Sequence, residues 1–339
     1  MKKLRVLALM HANLVPPDDV SGFDVTEVPW KMEFDVAETL RSMGHEVYQL
    51  GVEDDLGPIR KGITEFRPDI VFNLMESFHG IGVFDSHVVS FLELLRIPYT
   101  GCNPRGLMLA RDKALSKTVM NGHRIPVPDF AVVRMGRKPR RPKRMAFPLI
   151  VKSLTQEASI GISRASVVDD DDRLTERVRF IHQSIGTDAI VERFVDGREI
   201  YVGIVGNERL QVFPVWELRF ETLPGDGRLL MTDRAKWNTN YQKKYGIMTG
   251  PADLAPETAA RIQHLCKRVY RTLQLSGYAR IDMRLDADGR VYVLEANPNP
   301  QLAYGEDFAE SAEHGGIQYE ALLQTIINNG LRWRPERLG

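Results

Sequence analysis

Ala279-Arg280-Ile281-Asp282-Met283-Arg284-Leu285, the turn Asp286-Ala287-Asp288-Gly289 and the returning run Val291-Tyr292-Val293-Leu294-Glu295-Ala296-Asn297 decide how this chain is read. Two runs of β-forming residues around an Asp- and Gly-containing turn predict a β-hairpin. Residues two apart on a strand share a face, so Arg280 goes with Asp282 and Glu295 with Asn297. Hairpin pairing brings the two sets together. One face then carries a cation, two carboxylates and a carboxamide, with Tyr292, Leu294 and Ala296 expected on the opposite, buried face. Hard oxygen donors of this kind suit Mg²⁺, which takes a couple of carboxylates, waters and substrate phosphates. A solvated face with a cross-strand ion pair is the competing reading of the same residues.

Working outward, the composition narrows what that face can serve. The 339 residues allow two or three domains. Hydrophobic content of 43% with 27% charged residues excludes a disordered or rod-like chain. Lys and Arg number 45, as do Asp and Glu, so no global charge draws the chain to nucleic acid or an anionic membrane. Any charged ligand needs a local cluster. Cys102 and Cys266 stand alone, without zinc or disulfide spacing, which points to a reducing, cytoplasmic setting. No apolar run is long enough to span a bilayer. Leu4 to Met10 follows two lysines, as in a signal peptide, but Arg5 and Pro16-Pro17 argue for a buried first strand.

The first hundred residues alternate strand patterns (Leu4 to Met10, Glu46 to Leu50, Asp69 to Leu74) with helical ones (Lys31 to Ser42, Leu56 to Phe66, Phe84 to Leu95), predicting a small parallel α/β unit. A helix is expected from Pro104 and another near Lys113 to Asn121. Strands follow at Asp129 to Val133, Phe147 to Lys152 and Ile162 to Val168, and then a helix after Asp169. The acidic run Asp169 to Asp172 reads as a helix cap, with metal binding as the alternative. The linker Arg134 to Arg144, with seven Lys or Arg in eleven residues, reads as a solvated loop or an anion site. Arg198 to Val205 and Leu210 to Leu218 predict another hairpin around Gly206-Asn207. Helices are expected at Pro256 to Leu275 and Tyr319 to Asn328. The overall class is α/β, turning α+β in the C-terminal part.

There is no P-loop, HExxH or GxSxG, and Gly80-Ile81-Gly82 lacks a third glycine. His11, His45, His87, His123, His182, His264 and His314 are scattered and read as surface or core histidines. Lys152 ends an apolar strand opposite the small-residue loop Glu157-Ala158-Ser159-Ile160-Gly161, a place where an ammonium and loop amides can hold phosphates.

Six ordered motifs together resemble the ATP-grasp superfamily, and within it the D-alanine–D-alanine ligase group. They are Arg111-Asp112-Lys113; the strand ending in Lys152 with its Ser159 loop; Ile190-Val191-Glu192-Arg193-Phe194-Val195; Gly197-Arg198-Glu199; Ala235-Lys236; and Arg280-Ile281-Asp282 with Leu294-Glu295-Ala296-Asn297. His79-Gly80, Leu92-Glu93-Leu94-Leu95 and Ile97-Pro98-Tyr99-Thr100-Gly101 extend the likeness through the first domain. The resemblance implies an ATP-grasp fold behind an N-terminal parallel α/β domain: an N-terminal substrate domain over residues 1–103, a central lid over 104–189 and a catalytic part over 190–339. It implies an ATP-dependent carboxylate–amine ligase working through an acyl phosphate. Lys113, Lys152 and Ser159 would meet the ATP phosphates, Glu192 and the backbone at Val195 the adenine edge, and Glu199 the ribose. Lys236 and Arg280 would act on the transferring phosphoryl group, with His79 placed among the catalytic residues. Asp282, Glu295 and Asn297 would ligate two Mg²⁺ ions, with Mn²⁺ as a substitute. Small carboxylate and amine substrates are the implied partners, nucleic acid and membrane are not, and a homodimer is left open.

Departures from the group point to the acceptor. A loop serine and a tyrosine that clasp the closed loop in those ligases read here as Ala158 and Trp237, and the N-terminal glutamate has only Glu27 as a loose counterpart. After Asn297 the usual Pro-Gly turn and carboxylate-binding serine give way to Pro298-Asn299-Pro300-Gln301 and then Glu306-Asp307. A like-charge contact opposes a second carboxylate by about 1 kcal/mol when exposed and more when buried. The acceptor is therefore expected to be an amine without a nearby carboxylate, or with extra positive charge, beside Gln301, Glu306, Asp307 and Trp237. A genuine D-alanine–D-alanine ligase, helix capping by Glu306 and Asp307, and a non-catalytic ATP-binding scaffold are the alternatives. The scaffold reading sits poorly with an arginine retained beside the metal carboxylates.

Overall fold

The stretch Val6 to Met10 has no exposed surface because strand β1 (Arg5–His11) is the middle of a three-stranded parallel sheet, order β2-β1-β3. The reading as a buried strand holds: parallel sheets are covered on both faces, which demands a continuous apolar run. The computed structural model describes residues 2–156, 160–223, 228–232, 235 and 238–335. Around β1 run α1 (Lys31–Ser42), β2 (Glu46–Val52), α2 (Gly57–Phe66), β3 (Ile70–Asn73) and α3 (Asp85–Leu94), as expected.

Two short helices then cross to the rest of the molecule, α4 (Pro104–Arg111) and α5 (Lys113–Gly122). Asn103 caps α4 through the Gly106 amide, with Pro104 at a first-turn position where its missing N–H costs nothing. Asp112 caps α5 by accepting from the amides of Ala114 and Leu115, both at 2.9 Å. That cap fixes where Lys113 and Lys117 leave the helix.

The central sheet has the order β4-β7-β5-β6, from β4 (Phe130–Val133), β5 (Leu149–Ser153), β6 (Val167–Val168) and β7 (Ala189–Arg193), backed by α6 (Asp171–Phe180). The sheet thus continues past residue 189 into β7. The strand expected over Ile162 to Val168 is shorter: Ser163 and Ser166 close a reciprocal capping turn at Arg164–Ser166, and only Val167–Val168 pairs with β5. The acidic run is a cap, as Asp170 accepts from the Arg173 amide at 2.7 Å, while Asp169 pairs with Arg228 and Asp171 with Arg141. In the basic linker Arg141 is pinned by Asp171 and the Met145 carbonyl, and Arg134, Arg137, Lys138, Arg140, Lys143 and Arg144 are exposed.

The largest sheet has the order β11-β10-β8-β12-β13, with β9 also on β8. Its strands are β8 (Arg198–Val205), β9 (Gln211–Val212), β10 (Trp216–Phe220), β11 (Ile247–Pro251), β12 (Tyr278–Leu285) and β13 (Val291–Pro298). Helices α7 (Thr239–Tyr245), α8 (Pro256–Thr272), α9 (Asp307–His314) and α10 (Tyr319–Arg332) complete the chain. The expected single strand Leu210 to Leu218 is split, since Pro214 has no N–H for the ladder, and β9 and β10 pair with separate stretches of β8. Phe213 bridges the break, donating its amide to Gly203 at 2.9 Å.

One apolar core runs from β1 and β3 through α3, α4 and α5 to the underside of the large sheet, joining Leu7, Val88, Leu107, Met120, Ile200 and Met283. The central sheet keeps a core of its own, including Leu149, Val151, Leu174, Val178 and Val191. Among the described residues no helix is long and apolar enough to cross a membrane.

Candidate active site

The quoted hairpin forms as β12 and β13, with Arg280 opposite Asn297 and Asp282 opposite Glu295. Its alternation, however, is interrupted. Asp282 pairs with Glu295 but Met283 pairs with Val293, so Leu294 is an extra residue, a β-bulge. The expected buried set changes accordingly. Val291, Val293 and Ala296 face the core, whereas Tyr292 and Leu294 are partly exposed. Before the bulge odd-numbered residues point inward, and after it Glu295 and Asn297 point to the functional face.

Arg280 donates from Nε and Nη2 to the two oxygens of Asp282, both at 2.8 Å, and its guanidinium lies 5.1 Å from the Tyr201 ring centre. Asn297 donates Nδ2 to Asp282 Oδ2 at 2.8 Å. Burial pushes the Asp282 carboxyl up, and Glu295 facing it adds repulsion against the pull of Arg280. Burial would lower the Arg280 pKa, but the Asp282 carboxylate outweighs it and holds the guanidinium firmly charged. Two carboxylates forced together across strands, beside a carboxamide oxygen, are a donor set that a divalent cation would relieve, so the residues fit Mg²⁺. Among the described residues no group of three or more His, Cys, Asp or Glu gathers as a closed metal cage.

The cations come from two other elements. Lys113 donates to the Gln156 carbonyl at 2.6 Å and sits 3.8 Å from Glu295. Lys152, on β5, lies 3.2 Å from Glu192 Oε2. Burial would lower the Lys152 pKa, yet Glu192 and Glu295 together raise it. Glu192, on β7, has no exposed surface, and its other oxygen lies 3.4 Å from Lys117. Burial would raise its pKa, but Lys117 and Lys152 hold it below the usual range. Glu295 is likewise held ionised against burial by Lys113, Lys152 and Lys117.

Glu199 faces the same side from β8 but is held at 2.6 Å by Arg284, which also reaches the carbonyls of Gly197 and Leu229. Val195 is buried in the link between β7 and β8. Asp307, in the first turn of α9 and expected from the sequence to flank the acceptor, accepts from Thr249 Oγ1 at 2.6 Å and bears electrostatically on Arg280 and Tyr201. Glu306 takes the cap position of α9 without a side-chain bond to the helix amides, and Gln301 is exposed. His79 stands apart. Its side chain is 64% exposed, 4.0 Å from Asp54, and no described contact joins it to Arg280 or the carboxylates. Ser159, Lys236 and Trp237 lie outside the described residues.

Lys117, Arg284, Tyr201 and Thr249 are not among the residues expected from the sequence. Two of them carried a signal: Lys117 is four residues from Lys113, hence on the same helix face, and Arg284 is two from Asp282 on one strand face. Tyr201 and Thr249 had none, because only sheet pairing places them here; Tyr201 lies directly between Trp216 and Asp282.

Comparisons with known proteins bear on the family and the fold. The profile of the family described as D-ala D-ala ligase C-terminus matches residues 119–328. An uncharacterised protein of Sinorhizobium fredii, y4sG, is 33% identical over 310 residues, covering 88% of each chain. A D-alanine–D-alanine ligase of Desulfotalea psychrophila is 31% identical over 266 residues, 78% of each. Among solved structures, the D-alanine–D-alanine ligase of Bacillus anthracis complexed with ATP matches with a TM-score of 0.76 at 22% identity, over 98% of this chain and 99% of that one. The D-Ala:D-Ser ligase VanG of Enterococcus faecalis matches with a TM-score of 0.69 at 16% identity, over 96% and 99%.

Proposed function

The chain belongs to the D-alanine–D-alanine ligase family of ATP-grasp ligases, and from that premise we propose that it activates a small carboxylate as an acyl phosphate and couples it to an amine other than D-alanine. The observation that carries the acceptor reading is Asp307, fixed by Thr249 at 2.6 Å on the side of Arg280, with Glu306 next to it. A fixed carboxylate there disfavours an acceptor bearing its own carboxylate and favours one with a second positive charge or none.

The residues divide the work by charge. Lys113 and Lys152 attract the phosphates of ATP, the nucleotide bound by the Bacillus anthracis relative. Asp282, Glu295 and Asn297 would hold Mg²⁺, which supplies Lewis-acid neutralisation of phosphoryl charge. Arg280, locked by Asp282 and Tyr201, presents a preorganised cation to the transferring phosphoryl group and then to the oxyanion of the tetrahedral adduct, where fixed charge lowers the barrier most. Arg284 fixes Glu199 for the ribose hydroxyls. Closure of the central sheet over the large one would exclude water from the acyl phosphate. Buried free cysteines at 102 and 266 accord with a cytoplasmic setting.

The test is a matrix of amino acids and amines scored by ADP release with Mg²⁺ and ATP, with hydroxylamine added to trap the acyl phosphate. Hydroxamate formed without added amine names the donor, and the acceptor should be a cationic or carboxylate-free amine. Efficient synthesis of D-alanyl-D-alanine would overturn the acceptor reading in favour of the second one, a D-alanine–D-alanine ligase, which the 31%-identical relative supports.

A further inference from the structure

Lys117 is a lysine with no exposed surface on a short helix, and the phosphate-binding reading has no use for it. Its ammonium is committed on two sides: it donates to the Leu294 carbonyl and lies 3.4 Å from Glu192. Leu294 is the extra residue of the bulge in β13, and a bulge leaves its residue outside the ladder's regular bonding. The same bulge carries the strand from core-facing Val293 to site-facing Glu295. With period two alone, Val291, Val293 and residue 295 would share the buried face.

We propose that Lys117 is a positioning residue for Mg²⁺: by capping the bulge carbonyl it holds the reversal of phase that displays Glu295 and Asn297 beside Asp282. A carbonyl screened from water without a donor is costly, the Leu294 carbonyl is partly buried, and a regular ladder would satisfy it by turning Glu295 inward. Lys117 meets that need from α5, the helix whose cap already sets Lys113, so one helix delivers a phosphate-side cation and the support of the metal-side carboxylate. Glu192 balances the charge of Lys117, since an unpaired ammonium at this depth would be unfavourable. The inference rests on the proposed Mg²⁺ role of Asp282, Glu295 and Asn297, and it concerns binding, so it can be read without knowing the substrates.

The experiment is calorimetric titration of the full chain with the non-hydrolysable analogue AMPPNP, with and without Mg²⁺, on wild type and Lys117→Met. Expected is a loss of about tenfold or more in affinity with Mg²⁺ and a change within about twofold without it, a gap of one lost charged hydrogen bond. Equal affinity for wild type and variant, or an equal loss with and without Mg²⁺, overturns the positioning role. If Lys117→Met does not fold, Lys117→Leu, which likewise removes the donor to the Leu294 carbonyl, is titrated and judged by the same two criteria. A wild type whose AMPPNP affinity ignores Mg²⁺ would instead overturn the metal assignment on which the inference stands.

Discussion

Asp282 shows how much one side chain does here, since both of its oxygens are engaged by Arg280 and one also by Asn297. Asp282→Ala would free the guanidinium from its fixed position and remove a proposed metal donor at once. ADP release should fall by about 10²–10³ or more, the typical loss of one preorganised electrostatic group. Turnover within a few-fold of wild type would refute the assignment. Glu33 makes a different residue-scale case. It sits in the first turn of α1 with 1% exposure, and burial pushes its carboxyl up to about 7, Glu76 adding repulsion. Its ordinary value is 4.5, so the folded chain holds this proton more tightly than the unfolded one. Stability on this account is full below about pH 4.5 and is lost as pH rises through about 7. Glu33→Gln should therefore melt above wild type at about pH 8 and close to it at about pH 4. A difference in melting temperature that does not change with pH would count against a protonated Glu33.

At the scale of elements, the break between β9 and β10 is tied to the helix that carries Asp307. Phe213 lies over Gly203 on β8, where an added Cβ would come 2.4 Å from the Phe213 ring and 3.0 Å from that of Phe308 on α9. Phe308 is the neighbour of Asp307, so crowding at Gly203 presses on the helix that carries the proposed acceptor carboxylate. Gly203→Ala is expected to cost about 1–3 kcal/mol by overpacking, read as a lower urea midpoint at unchanged slope. A midpoint within error of wild type would mean that the two rings move aside freely. The split itself follows from Pro214, and the short β6 from the serine pair at 163 and 166. In both places a local backbone rule overrides an apolar run that reads as one strand.

For the whole molecule, the distribution of apolar cores leads to an expectation about which part opens first. The first domain and the large sheet share one core through α3, α4 and α5, whereas the central sheet and α6 close around their own. Amide exchange followed by mass spectrometry should show the central sheet opening as a separate unit, less protected than β1, β8 and β12, and gaining protection with Mg²⁺ and AMPPNP. Uniform protection across all three sheets would contradict a lid that opens independently. Such a lid suits acyl-phosphate chemistry, because closure removes the water that would hydrolyse the intermediate.

The sequence by itself determined the elements and their chemistry. Strand and helix periods follow from local side-chain pattern, so β1, α1, the β12–β13 hairpin and the cap at Asp170 were legible, as were Arg280, Asp282, Glu295 and Lys152 from spacing and family likeness. Tertiary structure alone decided which of these meet and which turn away. The carbonyl at the Leu294 bulge meets a donor from α5 that lies 177 residues earlier in the chain, Tyr201 comes beside Asp282 only through strand pairing, and His79 lies exposed beside Asp54 with no described contact to Arg280 or the carboxylates. Period and propensity act over a few residues, whereas a buried ammonium finds its partners only once distant segments have packed.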